Sequence, residues 1–431
     1  MKQSSHFLIG ATSSGSGKTT LTLGLLRAFR NRGLSVQPYK CGPDYIDTKL
    51  HKIASGNDSI NLDLFLSSSQ HVKQIYNKHS INSDVSITEG VMGLFDGYDK
   101  ANGSSAEVAK ELELPIILVI SPKAMAYSAA AILHGFKSFD PSLNIIGVIF
   151  NKINSESHYH ILKEAADAVG IHSFGYLPSN DELIIPSRHL GLVADREQVI
   201  DELAEKAAAH IEKNLDVDGI LQRTQKRIEE KSIEAPHSIK RQFTSAVAYD
   251  EAFSFVYREN IAYLEERGKV SFFSPIKDTI LPKADFLYLP GGYPENYLNE
   301  ISNNHKLMES IREYIENGGK VIAECGGMMY LSKVIIDEDG VRYPMVGILD
   351  QEATLEEMKL KLGYRQLEYN GLQLKGHEFH YSKTIGNLES VAQQKSATGR
   401  KVETKLIRYK NVLASYTHLY WAEMEDLMTI F

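Results

Sequence analysis

The stretch Gly10-Ala11-Thr12-Ser13-Ser14-Gly15-Ser16-Gly17-Lys18-Thr19-Thr20 constrains this chain more than any other. An apolar run, Phe7-Leu8-Ile9, precedes it, and residues 21–29 follow with a helical apolar period. Strand, Gly-rich turn and helix is the context a phosphate-binding loop requires. Glycines let backbone N–H groups converge on an anion, and the start of the helix adds unpaired N–H groups and a positive dipole end. Ser14, Gly15, Gly17, Lys18, Thr19 and Thr20 are the expected nucleotide contacts. Lys18 would reach the β- and γ-phosphates of a nucleotide, and the Thr19 hydroxyl would ligate Mg²⁺. The strict pattern G-x-x-x-x-G-K-[ST] asks for glycine where this chain has Thr12. A variant loop carries a second lysine five residues before the main one. Ser13 stands there, so that variant is not supported.

The first half continues as alternating strands and helices. Strands are expected at residues 34–39, 84–88, 115–120 and 144–150, with helices between them, for example at 104–112 and 125–136. The run Ile116-Ile117-Leu118-Val119-Ile120 is fully apolar, as in a parallel strand buried on both faces. This predicts a doubly wound α/β sheet with ligands at the carboxyl ends of its strands. Two of those strands are followed by acids: Asp44 and Asp47 after the first, Glu89 and Asp96 after the second. A single aspartate there would be a turn or cap residue. Four acids after strands of one sheet point to metal or substrate work, and Mg²⁺ takes hard oxygen ligands together with phosphates.

Residues 213–242 are highly charged and read as a linker between a domain at 1–212 and another at 243–431, which 431 residues can accommodate. The second half restarts with strands at 245–249, 269–273 and 285–289 and a helix at 252–266, and becomes β-rich from 342 to 417. Residues 321–331 read as strand, sharp turn and helix, with Cys325 at the turn followed by Gly326 and Gly327. A nucleophile elbow has this form. The helix dipole is expected to lower the thiol pKa. His418 is the candidate base, far away in sequence as such partners usually are, and Gly291 and Gly292 could donate N–H groups to an oxyanion.

Composition excludes other classes. Hydrophobic residues make up 43% and charged residues 24%, the balance of a soluble globular protein. A net charge of −8 argues against nucleic acid or an anionic membrane as partner. No apolar run has the length of a membrane span and no signal-peptide core is visible, so the expected location is the cytoplasm. The two cysteines, Cys41 and Cys325, lie in different halves and do not suggest a disulfide framework.

Together these residues resemble the cobyrinic acid a,c-diamide synthases, glutamine-dependent amidotransferases of cobalamin synthesis. The resemblance spans essentially the whole chain. It is carried by Ser14-Gly15-Ser16-Gly17-Lys18-Thr19-Thr20, Gly42-Pro43-Asp44-Tyr45-Ile46-Asp47, Glu89-Gly90-Val91-Met92-Gly93-Leu94-Phe95-Asp96-Gly97 and Arg188-His189-Leu190-Gly191-Leu192-Val193. In the second half it is carried by Tyr249-Asp250-Glu251-Ala252-Phe253, Leu289-Pro290-Gly291-Gly292-Tyr293-Pro294-Glu295, Glu324-Cys325-Gly326-Gly327, Gly376-His377-Glu378-Phe379-His380-Tyr381 and the His418 segment. The first half also looks like dethiobiotin synthetase.

The resemblance implies a dethiobiotin-synthetase-like P-loop domain followed by a class I glutamine amidotransferase domain. Cys325 would release ammonia from glutamine with His418 as base and then acid, and Gly291, Gly292 and Gly326 would bind the oxyanion and glutamine. The first domain would bind Mg·ATP and phosphorylate the a and c acetate carboxylates of the corrin ring. Asp44 and Asp47 are assigned to catalysis, Thr19, Glu89 and Asp47 to Mg²⁺, and Tyr45 and Asp96 to substrate positioning. Many class I glutaminases place Glu two residues after the histidine; here that position is Tyr420. Hydrogenobyrinic acid and nickel-sirohydrochlorin remain open as substrates, and monomer or homodimer is open as well. A partitioning or regulatory P-loop ATPase is the alternative of another class, but it leaves Cys325 and His418 without a role.

Overall fold

The computed structural model describes residues 3–185, 197–227 and 241–431. The resemblance motif at 188–193 and the stretch 228–240 of the expected linker lie outside the described residues. The described residues divide into two compact units, with the change between residues 227 and 241.

In the first unit, strand and helix alternate as β1 (Gln3–Ala11), α1 (Lys18–Asn31), β2 (Val36–Cys41), α2 (Ile46–Ser55), β3 (Ile60–Leu62), α3 (Ser69–Ser80), β4 (Val85–Glu89), α4 (Ser105–Glu111), β5 (Ile116–Ile120), α5 (Ala129–Phe139), β6 (Ile145–Asn151), α6 (Glu156–Ala168) and β7 (His172–Leu177). They are followed by α7 (Glu197–Asn214), α8 (Val217–Arg223) and β8 (Gln225–Arg227). The sheet order is β3-β2-β4-β1-β5-β6-β7. Every neighbouring pair in that order is parallel. One face packs on α1, α2 and α7 through Phe29, Leu50 and Leu203, and the other on α3 to α6 through Val72, Val108, Leu133 and Leu162. Apolar side chains on both faces explain why β5 is an unbroken buried run.

The expected linker begins later than residue 213. Residues 217–227 fold as α8 and β8, and β8 pairs antiparallel with β1 through Ser4↔Lys226. Charge misled here: Ile220 is fully buried, and Lys226 donates to the Leu112 carbonyl at 2.6 Å.

The second unit contains β9 (Ser245–Ala248), β10 (Phe253–Phe255), α9 (Arg258–Arg267), β11 (Val270–Phe273), β12 (Phe286–Leu289), β13 (Gly291–Gly292), α10 (Leu298–Asn303), α11 (His305–Glu316), β14 (Lys320–Glu324) and α12 (Gly326–Leu331). Its β-rich end comprises β15 (Ser332–Ile336), β16 (Arg342–Pro344), β17 (Leu349–Thr354), β18 (Lys361–Tyr369), β19 (Leu372–His380), β20 (Lys383–Ile385), β21 (Gln393–Ser396), β22 (Lys401–Tyr409), β23 (Val412–Ser415) and β24 (Thr417–Tyr420). The main sheet runs β11-β9-β12-β14-β23-β22-β21-β18-β19-β24. It is parallel as far as β23 and antiparallel beyond.

The helix expected at 252–266 starts only at Arg258. Asp250 Oδ1 accepts from the Ala252 and Phe253 amides, turning the chain. Phe253 then pairs with Gly292 as part of a two-stranded ribbon. A local side-chain acceptor and a strand partner outcompete helix propensity. Among the described residues no helix is long and apolar enough to cross a membrane.

Arg27 ties three helices of the first unit together. It is 4% exposed, and its guanidinium donates to the Ala54 and Ile53 carbonyls at 3.0 and 2.9 Å and to Glu205 and Asp201 of α7 at 2.6 and 2.5 Å. Removing it strands the last carbonyls of α2 without their buried donor. Arg27→Leu is expected to lower the thermal midpoint by roughly 5 °C or more, read by circular dichroism. A midpoint within about one degree of the parent's overturns this anchoring role.

Candidate active site

In the first unit the phosphate loop connects β1 to α1, and Gly17 has φ 89°. A Cβ there would lie 2.1 Å from Asn151 Nδ2, which donates to the Ser16 carbonyl at 2.8 Å. Gly17 is therefore required twice, by backbone conformation and by close approach. Thr12, where the strict pattern has glycine, is not among the residues with positive φ, and its amide donates to Val119 O at 3.2 Å. A side chain is tolerated at that position because the turn there does not need the left-handed region.

A cavity of about 820 Å³ opens over this loop. Ser14, Gly15, Gly17, Lys18, Thr19 and Thr20 line it, together with Asp44, Asp47 and Glu89. The sheet order accounts for this convergence, since β2 and β4 lie next to each other and β4 next to β1. Lys18 is 8% exposed and donates to Met92 O at 2.5 Å, and burial lowers its pKa.

Glu89, at the end of β4, is fully buried. Its Oε1 accepts from Thr19 Oγ1 at 2.8 Å and from Lys40 Nζ at 2.9 Å, while its Oε2 meets His51 Nε2 at 2.7 Å. Lys40 also donates to Asp47 Oδ2 at 2.6 Å. Burial alone would raise the Glu89 pKa, but the Lys40 charge and the His51 hydrogen bond outweigh it and hold the carboxyl well below its ordinary range. Lys40 mirrors this. Burial would lower it, and Asp47 with Glu89 raises it instead.

The Thr19 and Glu89 oxygens, 2.8 Å apart, fit neighbouring corners of a Mg²⁺ octahedron, whose edge is roughly 3 Å for bonds of about 2.1 Å. Among the described residues no group of three or more His, Cys, Asp or Glu side chains forms a metal cage. A cation here would therefore share Thr19 and Glu89 with phosphate oxygens and water.

The other acids of this half behave differently. Asp44 faces the cavity, yet its Oδ1 accepts from the Ile46 and Asp47 amides at 2.9 and 2.8 Å, the work of a helix-start residue. Asp96 is not among the cavity-lining residues, and its Oδ2 holds the Gly93 amide at 2.9 Å. Tyr45 is 5% exposed and also absent from the lining. Sequence reasoning missed Lys40 and His51. Lys40 sits two residues before the Gly42–Asp47 motif, but only the β2–β4 pairing puts it beside Glu89.

In the second unit β14 ends at Glu324 and Cys325 follows with φ 47° and ψ −108°, a conformation that side-chain-bearing residues rarely adopt. This is the strained elbow expected of a nucleophile. Antiparallel pairing of β24 with β19, through His377↔His418, delivers His418 to the same place. A Cβ on Gly291 would stand 2.2 Å from His418 Cε1, 3.1 Å from His418 Nε2 and 3.1 Å from Cys325 Cβ. Gly291 thus sits between the thiol residue and the imidazole, and only glycine fits. A Cβ on Gly326 would lie 3.4 Å from the Gly292 amide nitrogen, so the expected oxyanion glycines are neighbours.

The expected lowering of the thiol pKa is not found. Burial pushes the Cys325 thiol well up, with Glu295, Glu378 and Glu324 adding to it, and the lowering hydrogen bond from the Gly326 backbone does not compensate. The thiol points to Phe379 O at 3.8 Å. Burial likewise lowers His418 to about 3. Tyr420, at the position where many class I glutaminases have Glu, is 9% exposed and packs edge-on against Tyr257.

A cavity of about 20 Å³ adjoins Cys325, lined by Tyr293, Glu295, Met329, His380 and Ser382 among others. Glu295 is raised to about 7 by burial. Across the wall, His380 Nε2 meets Glu378 Oε1 at 2.7 Å, and its ring stacks on Tyr416 at 3.6 Å.

Residues 7–193 match the family described as CobQ/CobB/MinD/ParA nucleotide binding domain, and residues 244–426 match the CobB/CobQ-like glutamine amidotransferase domain. A cobyrinate a,c-diamide synthase of Caldanaerobacter subterraneus subsp. tengcongensis is 40% identical over 96% of this chain and 94% of its own length. The protein of the same name from Picrophilus torridus is 41% identical over 96% and 95%. That from Fusobacterium nucleatum is 40% identical over 96% and 97%. The chain belongs to the cobyrinate a,c-diamide synthase family. It is an amidating ligase that takes its nitrogen from glutamine. The relatives match across both units, which removes the reason to read the first as a partitioning ATPase.

The loop geometry separates two positions that look alike in sequence. Thr12→Gly is expected to leave the KM for ATP within about twofold, whereas Gly17→Ala should raise it at least about tenfold through the Asn151 clash. Equal effects of the two substitutions would contradict this account.

Proposed function

We propose that this protein converts the a and c acetate carboxylates of cobyrinic acid to amides, using ATP and glutamine. The observation that carries the reading is the pair of sites on one chain: a phosphate loop whose cavity gathers buried cations and acids, and an elbow cysteine facing a histidine across Gly291. The names of the full-length relatives point to the same substrate.

In the first site a substrate carboxylate oxygen attacks the γ-phosphorus of ATP, the bond to the β-phosphate oxygen breaks, and ADP leaves. A carboxylate is a poor acyl donor, and the acyl phosphate supplies a leaving group. Ammonia adds to the acyl carbon, phosphate departs with the C–O bond electrons, and loss of a proton leaves the amide. Lys18 and the loop amides stabilise the charge moving onto the transferred phosphoryl oxygens. Thr19, Glu89 and Asp47 would hold Mg²⁺, which neutralises phosphate charge when bound. Lys40 pairs with Asp47 and keeps Glu89 ionised, and Asp44 sets the start of α2 so that Asp47 faces the cavity. Tyr45 and Asp96, assigned to substrate positioning, are not in the cavity lining, and Asp96 instead holds the Gly93 amide.

In the second site Cys325 Sγ attacks the side-chain carbonyl carbon of glutamine while His418 takes the thiol proton. The oxyanion is met by amides of Gly291, Gly292 and Gly326. His418 returns the proton to the departing ammonia, and water then hydrolyses the thioester to glutamate. The cavity of about 20 Å³ beside Cys325 is far below the roughly 300 Å³ of a ligand pocket, so the site must widen to admit glutamine. The reaction is a cytoplasmic one in this reading, and a homodimer is compatible with it.

The primary test is mass spectrometry of the product with ATP, Mg²⁺, glutamine and each of cobyrinic acid, hydrogenobyrinic acid and nickel-sirohydrochlorin. Two successive amidations of cobyrinic acid at the highest kcat/KM are expected, and preference for either other acid reassigns the substrate. Lys18→Ala should reduce amide formation more than about 100-fold with normal circular dichroism. Cys325→Ala and His418→Ala should lose glutamine-dependent product and keep the ammonium-supported reaction, whereas Tyr420→Phe should change little. Loss of the ammonium-supported reaction in folded Cys325→Ala would refute the division of labour.

A further inference from the structure

The glutaminase site has a histidine but, at position 420, no carboxylate to orient it. We propose that Glu324, the residue directly before the nucleophile, is the positioning acid of His418. This rests on the Cys325–His418 reading above.

Three observations converge on Glu324. It is 1% exposed, and its Oε2 lies 3.9 Å from His418 Nδ1. The opposite edge of the ring faces the nucleophile: Cε1 and Nε2 are the atoms that a Cβ on Gly291 would strike, and that same Cβ would stand 3.1 Å from Cys325 Cβ. The imidazole is therefore flanked by the thiol residue on its Nε2 side and by a carboxyl on its Nδ1 side, the order that a nucleophile–base–orienter triad requires. Finally, the carboxyl is fixed from two directions. Oε1 accepts from the Leu419 amide at 2.8 Å, next to the histidine in the chain, and Oε2 accepts from Tyr288 OH at 2.6 Å on neighbouring β12.

Sequence-distant arrangement explains why the acid need not follow the histidine. β14 brings Glu324 in with the nucleophile, and β24 lays His418 against it. The competing acid, Glu378 on β19, is engaged by Arg365, His380 and Thr404. His377 and His380 on that strand oppose a charge on His418, while Glu378 favours it from a distance. Burial disfavours a charge on either group alone, raising Glu324 to about 8 and lowering His418 to about 3. An imidazolium formed from the thiol proton is sustained by pairing its Nδ1 edge with the ionised Glu324 carboxyl. The 3.9 Å separation is a charge-pair distance, longer than a hydrogen bond, and closes with a small ring shift.

Glu324→Gln in the full-length protein tests this. The amide keeps an acceptor for Leu419 and a polar group for Tyr288, so the fold is expected to hold. Glutamine-dependent kcat should fall more than about tenfold with the KM for glutamine unchanged, and iodoacetamide should alkylate Cys325 more slowly. The ammonium-supported rate and the thermal midpoint should match the parent's, and Glu324→Asp should recover part of kcat. A kcat within about twofold of the parent overturns the proposal. So does a loss confined to KM, or one shared with the ammonium reaction or the melting temperature, since those mark a structural role. Should Cys325→Ala itself retain glutamine-dependent turnover, the underlying glutaminase reading fails instead, whatever Glu324→Gln does.

Discussion

The carboxylate of Glu89 is buried completely, and the head of the first sheet is arranged around it. An isolated charge in that position would be neutralised or expelled, because desolvation outweighs any single weak contact. Instead β2 contributes Lys40, α2 contributes His51 and Asp47, and α1 contributes Thr19, each meeting the cluster within 2.9 Å of a partner. These contacts fix the phosphate loop relative to β2 and β4 before any nucleotide arrives. Removing one member of such a cluster leaves the others buried without a partner, which is why it acts as a unit.

The second unit depends on a different constraint, the forced conformation of Cys325. A residue held at φ 47° is maintained only where its surroundings over-determine it. Here the Cys325 amide is anchored to Ser415 O at 2.8 Å, and Gly327 packs so tightly on Leu289 that a Cβ would lie 2.1 Å from its carbonyl. The antiparallel extension of the sheet then has a purpose beyond stability. It turns the chain back so that β24, leaving β23 after a single residue, places His418 beside the elbow.

Much of this was legible in the sequence, because local patterns carried it. The phosphate loop, the parallel strands and the elbow are each set by residues within about ten positions of one another. Gly17 and Gly291 could be singled out for the same reason. What was not legible depends on which strand neighbours which. Lys40 and His51 become partners of Glu89 only through the β2–β4 pairing and the fold of α2, and Glu324 meets His418 only through β14 and β24. The first residues of the helix expected at 252–266 were lost to a strand partner nearly forty residues ahead. Charge in residues 217–227 suggested a linker although their few apolar side chains are buried.

The two sites bury ionisable groups in opposite ways, and the difference follows from what each must handle. A site for a polyanion gains from keeping cations and acids charged and mutually paired, since the phosphates then enter a field already oriented and need no proton to move. The glutaminase elbow has no charged ligand to balance. There burial disfavours the charged forms of thiol, imidazole and the Glu324 carboxyl alike. A neutral thiol is a weak nucleophile and resists adventitious oxidation and alkylation. In the proposed mechanism reactivity comes from the substrate filling the cavity as a proton moves onto His418. Under the proposed division of labour, in which ammonia is consumed in a separate step, a thiol that burial holds neutral until glutamine binds avoids wasting glutamine.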